Sequence, residues 1–397
     1  MAPRIMKLPG VHQLTKEQEL ARSLPLDGQH LVIGGPGTGK SIVALLRVKQ
    51  LIEKNKDYLF LVFNLLLKHS CFLLSGNDLK TAQWQSWFRE QYKKAFKQDD
   101  VPRLPTESED EKEQKKYADF DWDTIQTNIR EQGPLAEANK LPYLVIDEGQ
   151  DMPIQFYQAL IDWGFENFFV VADQNQQIYD NQNSSRRDLE NVLALETDEV
   201  IELKTNHRNH YATACFARAF YTGDPASPPP ELPPAPKFDV YKPLLFNYHE
   251  AQFEKICQRI LVMAASQEDK LIAVITPNNL KREKYFNWLN NQALASKENG
   301  VLVSTYCHGK AENVPFDQGG VMVINAQSCK GLEFDIVFMA DIDDYFISNN
   351  DAEGLKKLFY VMSSRAIDRL LLLSTQSKNY PAYSFIPQDP DVLEVKE

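Results

Sequence analysis

The chain has 397 residues, 43% hydrophobic and 25% charged, which suits a globular protein of two or three domains. Its formal net charge of −12 argues against a protein that coats duplex DNA, so any nucleic-acid contact must come from a local basic track. No apolar run approaches the ~18–20 residues of a membrane span, no secretory apolar core opens the chain, and the five cysteines lack CxxC spacing. We therefore expect a cytoplasmic protein with reduced thiols and no membrane partner.

The first predicted elements are a short strand at 31–33 and a glycine-rich loop that follows it directly. The loop has the spacing glycine, four residues, then Gly-Lys-Ser, and residues 42–54 contain no Gly or Pro, so a helix can follow. Backbone N–H groups in such a loop converge on phosphate oxygens at a helix N-terminus. We expect Lys40 to reach the β- and γ-phosphates of a nucleoside triphosphate and the Ser41 hydroxyl to bind Mg²⁺. A glycine-rich surface turn, the alternative, would need neither the Lys-Ser pair nor the flanking strand. The predicted phosphate loop consists of Gly34, Gly35, Pro36, Gly37, Thr38, Gly39, Lys40 and Ser41.

Further short apolar runs at 58–63, 143–146 and 168–171 alternate with helical stretches. Strands of this kind are typical of a parallel sheet buried on both faces. We therefore predict an α/β lobe over residues 1–203. A small insertion at about 85–140 interrupts it, and the charged run at 107–116 within that insertion is interpreted as a solvated loop or helix face.

The second half of the chain predicts a second lobe, 204–397, of the same α/β type. Residues 204–220 read as a helix, and the proline-rich segment 224–236 reads as extended structure. We interpret that segment as a stiff surface connection rather than as a ligand for a partner domain. A cleft between the two lobes is where a ligand is expected. The predicted strands lie at 271–275, 301–305, 320–324, 336–340 and 370–374.

Polar side chains follow two strands of the first lobe. Asp147 and Glu148 come directly after the 143–146 strand, where the first acid of an ATP site holds Mg²⁺ and the second deprotonates the attacking water. Acids at this position can also be helix caps. After the 168–171 strand, the amide of Gln176 could sense a γ-phosphate or its attacking water.

Two arginines complete the candidate site. Arg208 lies just past the first lobe, and Arg365 lies just before an apolar strand of the second. Phosphoryl transfer gains most from cations placed on the developing charge of the transition state. Arginines from a second lobe would also couple hydrolysis to cleft closure. Taken singly, either arginine could be an ordinary surface residue.

The order and wording of these segments resemble the UvrD/Rep-type superfamily 1 helicases. The resemblance implies two RecA-like lobes, ATP hydrolysis with Mg²⁺, and action on single-stranded nucleic acid, with DNA foremost. The matching segments are Leu14-Thr-Lys-Glu-Gln18, Asp147-Glu-Gly-Gln-Asp151, Ala172-Asp-Gln-Asn-Gln176-Gln-Ile-Tyr179, Asn206-His-Arg208, Ser328-Cys-Lys330-Gly-Leu-Glu333-Phe-Asp335 and Tyr360-Val-Met-Ser-Ser-Arg365-Ala.

The resemblance also implies roles for individual residues. Gln18 would read the adenine edge, and His207 would stack on adenine where the family usually has tyrosine. Glu333 would bind the ribose. Gln176 would contact the γ-phosphate or its water, and Arg208 and Arg365 would be the two γ-phosphate arginines. The nucleic-acid contacts would include Asn64, Tyr179 and Lys330, the last in a turn near the strand-binding face.

Departures from the family pattern fall on the strand-binding side. Asp180 and Asn181 stand where the family commonly carries a base-stacking tryptophan, Gln327 replaces a histidine, and Asn325 replaces a threonine. Base stacking on an aromatic ring is worth about 1–3 kcal/mol, so its loss implies a weaker grip on the strand. The first insertion is small and residues 276–320 leave no room for the second, so we expect weak duplex separation by this chain alone.

One helix of the first lobe carries two stripes. Trp84, Phe88, Tyr92 and Phe96 repeat every four residues, and so do three basic residues beside them. One interpretation buries the aromatic residues in the core and leaves the basic residues in solvent. In the other, the basic stripe follows a phosphate backbone. The basic residues are Arg89, Lys93 and Lys97.

Two hypotheses of different classes follow. The first is a minimal superfamily 1 ATPase that moves along single-stranded nucleic acid. The second is an ATP-dependent switch that controls a partner protein such as a nuclease, by analogy with small helicases of bacterial antiviral systems such as Gabija. A P-loop kinase of small molecules would leave Glu333 and Arg365 unexplained.

Overall fold

The computed structural model describes residues 8–63, 79–104, 120–135, 141–173, 183–222, 228–236, 241–295, 300–306, 315–346, 352–375 and 384–396. These residues form one sheet of six strands and one of seven, and every strand pairing in both sheets is parallel. Helices pack against both sheets. The predicted α/β class with two parallel-sheet lobes is therefore confirmed. None of the helices in these ranges is long and apolar enough to cross a membrane.

The first sheet brings the loops of three neighbouring strands to one edge. Its strands are β1 (Gln29–Gly34), β2 (Tyr58–Val62), β3 (Thr81–Gln83), β4 (Tyr143–Ile146), β5 (Phe168–Ala172) and β6 (Ile201–Leu203). Their order is β3-β2-β4-β5-β1-β6. Because β4, β5 and β1 are adjacent, the segments that follow them leave from the same place. The helices of this half are α1 (Lys16–Ser23), α2 (Lys40–Glu53), α3 (Trp84–Phe96), α4 (Trp122–Gln132), α5 (Ile154–Asp162) and α6 (Arg186–Val192).

The second sheet is built in the same way. Its strands are β7 (Leu244–Asn247), β8 (Leu271–Thr276), β9 (Val303–Thr305), β10 (Gly320–Asn325), β11 (Phe334–Met339), β12 (Ala366–Ser374) and β13 (Glu394–Lys396). Their order is β13-β7-β12-β11-β8-β10-β9. The helices of this half are α7 (Tyr211–Arg218), α8 (Phe253–Ser266), α9 (Asn279–Ala295) and α10 (Ala352–Ser363).

Alternate strand residues pack against helices on opposite faces of each sheet. In the first sheet, Val32 belongs to the same buried cluster as Val43 of α2, whereas Leu31 belongs to the cluster of Phe156 in α5. In the second, Ile275 packs with the helices α7 and α10, and Val274 packs with α8 and α9. Two buried faces explain why the central strands read as continuous apolar runs.

The prediction of a helix over 204–220 is only partly right. The helix begins at Tyr211, because the Asn206 Oδ1 accepts the backbone N–H groups of Arg208 and Asn209 at 3.0 and 3.1 Å. An asparagine side chain that bonds its own backbone in this way competes with helix formation. Four short strands, β3, β6, β7 and β13, were also not predicted.

The proline-rich segment does more than connect the lobes over the surface. The Glu231 N–H donates to the Lys204 carbonyl at 2.7 Å, and residues 205 and 231 form a parallel bridge. Pro230 packs on the phosphate loop, because a Cβ at Gly35 would lie only 2.5 Å from its Cδ. The segment therefore runs alongside β6 and touches the loop after β1.

The aromatic stripe predicted from the sequence lies on α3 and is part of the core. Trp84, Phe88 and Tyr92 are buried among rings that include Phe156 and Trp163, and Phe96 is partly buried against them. On the other stripe, Lys93 and Lys97 are exposed and Arg89 is paired with Asp100. The core interpretation of the aromatic residues is therefore confirmed.

Candidate nucleotide site between the lobes

The phosphate loop follows β1, as predicted, and is tightly packed. Gly37 and Gly39 have φ angles of +75° and +89°, which L side chains rarely adopt. The Thr38 hydroxyl donates to the Gly35 carbonyl at 2.8 Å, and a Cβ at Gly34 would lie 2.5 Å from the Thr38 Oγ1. The loop thus has the tight turn and the adjoining helix N-terminus that a phosphate cradle needs.

Lys40, the first residue of α2, is buried in this loop. Its Nζ lies 2.9 Å from the Gly35 carbonyl oxygen and 3.1 Å from the Asp173 Oδ2. Asp173 comes directly after β5 and is fully buried. A phosphate in the loop would compete with Asp173 for this ammonium group.

Asp147 and Ser41 have the features of a magnesium site. The Asp147 Oδ1 accepts the Glu148 N–H at 2.9 Å, whereas its buried Oδ2 has no hydrogen-bond partner in the described part of the chain. Burial and then the charge of Glu148 raise the pKa of Asp147 to about 7, although the neighbouring Ser41 hydroxyl lowers it. Among the described residues no three His, Cys, Asp or Glu cluster to hold a metal. An orphaned carboxylate oxygen beside one hydroxyl fits Mg²⁺, which takes few protein ligands and keeps phosphates and waters.

Glu148 is held in an unusual backbone conformation. Its φ of +54° lies in the left-handed region, which costs a non-glycine residue about 1–2 kcal/mol. Its Oε2 accepts from the Gln150 Nε2 at 2.7 Å, and the Gln150 Oε1 accepts the Asp173 N–H at 2.8 Å. Gln150 thereby joins the ends of β4 and β5 and fixes the Glu148 carboxylate. Strain of this kind persists where the surroundings determine the position of a functional group.

Cations from both lobes act on Glu148. Burial alone would raise its pKa. The charges of Lys330, Lys40 and Arg365 outweigh burial and hold the pKa below its ordinary value. A lowered pKa favours the ionised carboxylate, which is the form that can accept a proton.

The two arginines are both at the lobe boundary. The Arg208 Nε donates to the Glu333 Oε1 at 2.8 Å, so a residue after the first sheet is paired with one from the second. Arg365 is buried, and its Nε donates to the Val361 carbonyl at 3.0 Å. Burial and then the nearby charge of Arg208 lower the pKa of Arg365. The positive charges of Arg208 and Arg365 repel one another. An anion with several negative charges that bound between them would stabilise both guanidinium groups.

Two asparagines form hydrogen bonds at the boundary between the lobes. The Asn206 Nδ2 donates to the Asn209 Oδ1 at 2.8 Å, and the Asn209 Nδ2 donates to the Ser364 carbonyl at 3.1 Å. His207, between them, is exposed, and its N–H donates to the Gly37 carbonyl at 2.8 Å. The predicted adenine-stacking residue therefore lies next to the phosphate loop.

Gln18 is next to the same loop but is already bonded. It is the third residue of α1 and forms a capping box with Thr15. Its Nε2 donates to the Thr38 carbonyl at 2.9 Å. In this arrangement Gln18 braces the loop, and a role in reading adenine would need its amide to turn.

Lys330 is buried, whereas the resemblance implied that it contacts nucleic acid. It is 1% exposed, and its Nζ lies 2.6 Å from the Asp151 Oδ1 of the first lobe. The nearby Gln327 is exposed, and the Asn325 Oδ1 accepts the Ser328 N–H at 3.0 Å. The predicted contacts Asn64, Gln176 and Tyr179 lie outside the described residues.

Several residues of the site had no role predicted from the sequence. Gln150 and Asp151 stand within the acidic segment, and their amide and carboxylate groups could have suggested partners. Their partners lie 23 and 179 residues away along the chain, so only the fold reveals them. The residues without a predicted role are Gln150, Asp151, Asp173, Asn206 and Asn209.

Comparison with known proteins yields a weak structural likeness and no family. No family model matches the chain, and no curated protein matches it. Among solved structures, the chain is similar to the C-terminal domain of a possible DNA helicase from Lactobacillus plantarum WCFS1, with 19% identity and a TM-score of 0.34. The match covers 49% of this chain and 100% of that one, and a likeness this weak carries no argument about function.

Proposed function

We propose that this chain is an ATP-hydrolysing motor of the superfamily 1 helicase type that acts on single-stranded nucleic acid, with DNA as the first substrate to test. One observation carries the proposal. Lys40 and the acids of the first lobe meet Arg365 and Lys330 of the second, and Arg208 lies where the two lobes join. Opposite charges that are buried together from distant segments are typical of a phosphoryl-transfer site.

The chemistry follows from these positions. The loop N–H groups and Lys40 would bind the β- and γ-phosphates, while Ser41 and Asp147 would hold Mg²⁺, which offsets phosphate charge. Glu148 would accept a proton from the water whose oxygen forms a bond to the γ-phosphorus as the bond to the β–γ bridging oxygen breaks. Arg208 and Arg365 would stabilise the charge that develops on the transferred group.

Motion between the lobes would supply the mechanical step. The Arg208–Glu333 pair and the Asn209 bond to the Ser364 carbonyl join segments 125 and 155 residues apart. Nucleotide binding would compete for Arg208, and hydrolysis would release it. Repeated closing and opening of the cleft could then move a strand along the outer edge of the lobes.

The first experiment measures steady-state ATP turnover with Mg²⁺, in the presence and absence of single-stranded DNA or RNA. We expect turnover that single-stranded DNA stimulates, and we expect Lys40→Ala to abolish it. Lys49→Ala changes an exposed lysine on the same helix and should leave turnover unchanged. Wild-type protein without turnover under any of these conditions would contradict the ATPase assignment.

A second experiment separates the motor from a switch. Strand displacement on a tailed duplex, together with stimulation by single strands, would support the motor. The exposed stripe of α3 offers a variant, Lys93→Glu with Lys97→Glu, which should weaken single-strand stimulation without changing basal turnover. ATP turnover that does not change with nucleic acid would contradict the motor hypothesis and favour an ATP-dependent switch for a partner such as a nuclease. The burial of Lys330 also favours this alternative.

A further inference from the structure

The contact between Lys330 and Asp151 joins the two lobes at the catalytic turn of the first. Both residues are almost completely buried, at 1% exposure each, and the Nζ–Oδ1 distance is 2.6 Å. Asp151 ends the 3₁₀ helix Gly149–Asp151, and Lys330 directly follows the 3₁₀ helix Ala326–Cys329 of the second lobe. A buried pair of this kind is costly to break on one side only, because the remaining charge stays in a low-dielectric surrounding.

Asp151 and Glu148 are two ends of one hydrogen-bonded turn. The Asp151 N–H donates to the Glu148 carbonyl at 2.9 Å. The Tyr157 hydroxyl donates to the Gly149 carbonyl at 2.8 Å, and a Cβ at Gly149 would lie 2.4 Å from a Val170 methyl group. A turn packed this closely does not bend freely, so a displacement of Asp151 also displaces Glu148.

The segment that carries Lys330 also contacts both arginines. The Leu332 carbonyl accepts from the Arg365 Nη1 at 3.3 Å, and Glu333 accepts from the Arg208 Nε at 2.8 Å. Residues 330–333 thus contact the base-bearing turn and the two arginines together. Whatever moves this segment relative to the first lobe moves all three contacts at once.

We propose that Lys330 is a positioning residue: by pairing with Asp151 it holds the turn 148–151 in place when the lobes are together, and so sets the Glu148 carboxylate for hydrolysis. The inference rests on the proposed function for its catalytic consequence only. Lys330 touches neither nucleotide nor strand in this role. The lobe interface itself becomes the element that decides whether the base is in position.

The test uses Lys330→Met, Asp151→Asn and the double variant Lys330→Met with Asp151→Leu, which removes both charges. Lys270→Met is the matched control, because Lys270 also forms ion pairs, with Asp335 and Asp368, but within the second lobe. Hydrogen–deuterium exchange of a peptide covering residues 147–153 is measured for each variant. Where the wild type has turnover, kcat and the ATP dissociation constant are measured as well.

We expect Lys330→Met and Asp151→Asn each to speed exchange of the 147–153 peptide at least about tenfold, with Lys270→Met at the wild-type rate. We also expect kcat to fall at least about thirtyfold in each single variant while the ATP dissociation constant changes less than threefold. The double variant should be no worse than either single variant, because the two residues act as one pair.

Unchanged exchange in Lys330→Met would overturn the inference whether or not the protein hydrolyses ATP. Faster exchange with wild-type kcat would overturn it too, because the turn would then not position the base. A wild type without turnover would contradict the proposed function, and the exchange rates would still decide whether Lys330 holds the turn. A purely structural role would instead weaken ATP binding about as much as it lowers kcat.

Discussion

The buried charges at the two ends of the first sheet have different kinds of partner. At the carboxyl end, Lys40 is paired with Asp173, and cations of the second lobe surround Glu148. At the amino end, the buried Arg47 guanidinium lies 4.5 Å from the centre of the Phe169 ring and donates to a backbone carbonyl. Its Nε and Nη2 have no hydrogen-bond partner in the ranges that the structure describes.

Burial of a charge alone therefore does not mark a functional site. What distinguishes the carboxyl end is that its partners are opposite charges from distant parts of the chain. At the amino end, the described contacts of the Arg47 guanidinium are with aromatic rings and a backbone carbonyl, which suit a charge that helps to hold a fold. Changes at the first end should alter turnover, and changes at the second should alter stability while they spare turnover.

The largest effect is expected from Arg365→Gln. Removing an arginine that stabilises transferred phosphoryl charge costs about a thousandfold or more in kcat. Steady-state turnover measures this loss, and Arg365→Lys should recover part of it by restoring the charge without the planar fork. A thermal unfolding scan is the control, because loss of folding would mimic loss of catalysis. Near-wild-type kcat in a folded Arg365→Gln protein would contradict the assignment.

Glu148→Gln should lower kcat at least about a hundredfold, because the amide cannot accept the proton from water. Nucleotide binding should persist, since Lys40 and the loop are untouched. Equilibrium binding of ATP and single-turnover hydrolysis measure the two separately. Hydrolysis at the normal rate would show that Glu148 is not the base.

Arg47→Met should leave kcat within twofold of the wild type. Replacing a buried, incompletely bonded charge with an apolar side chain of similar length is often neutral or stabilising, and we expect the free energy of unfolding to rise by about 1 kcal/mol. Urea unfolding and turnover are measured on the same preparation. A large loss of turnover with intact folding would break the contrast between the two ends.

The smallest effect is a pH dependence of stability at His30, beside Arg47. Burial and then the charge of Arg47 lower the pKa of His30. The pKa of His30 is about 6.5 in the unfolded chain and lower in the folded protein. As the pH falls below about 6.5, the unfolded chain binds the proton more readily, so the free energy of unfolding decreases. It levels off once the pH is below the pKa of the folded state. Urea unfolding between pH 7 and pH 5 should show a shallower decline for His30→Gln than for the exposed-site control His12→Gln. Equal slopes would contradict the prediction.

Much of the first lobe could be predicted, because local chemistry determines it. The apolar run ending at Ile33, the glycine spacing and the helix from Lys40 agree with one another at neighbouring positions. The short strands β3, β6, β7 and β13 could not be predicted, because three or four residues are too few to show a hydrophobic periodicity. Their pairing depends on what lies beside them in the sheet.

The site was predictable in its residue types but not in its pairings. The sequence pattern indicates Asp147, Glu148 and Lys40 because each follows a strand or loop of known form. It does not indicate that Lys330 is buried against Asp151, because that contact depends on how two separate sheets meet. The left-handed backbone conformation of Glu148 could not be predicted from the sequence either, because only the packing of the turn enforces it.

The proline-rich segment has a consequence for how the molecule can be observed. The prolines at 228–230 have φ fixed near −65°, which limits local bending of the chain there. Pro230 rests on Gly35, and the next residue, Glu231, faces solvent. We expect a movement of the phosphate loop at Gly35 to displace Pro230 and, with it, Glu231. On the proposed function, the signal of a fluorescent label at Glu231 should change when a nucleotide binds to the loop and when it leaves.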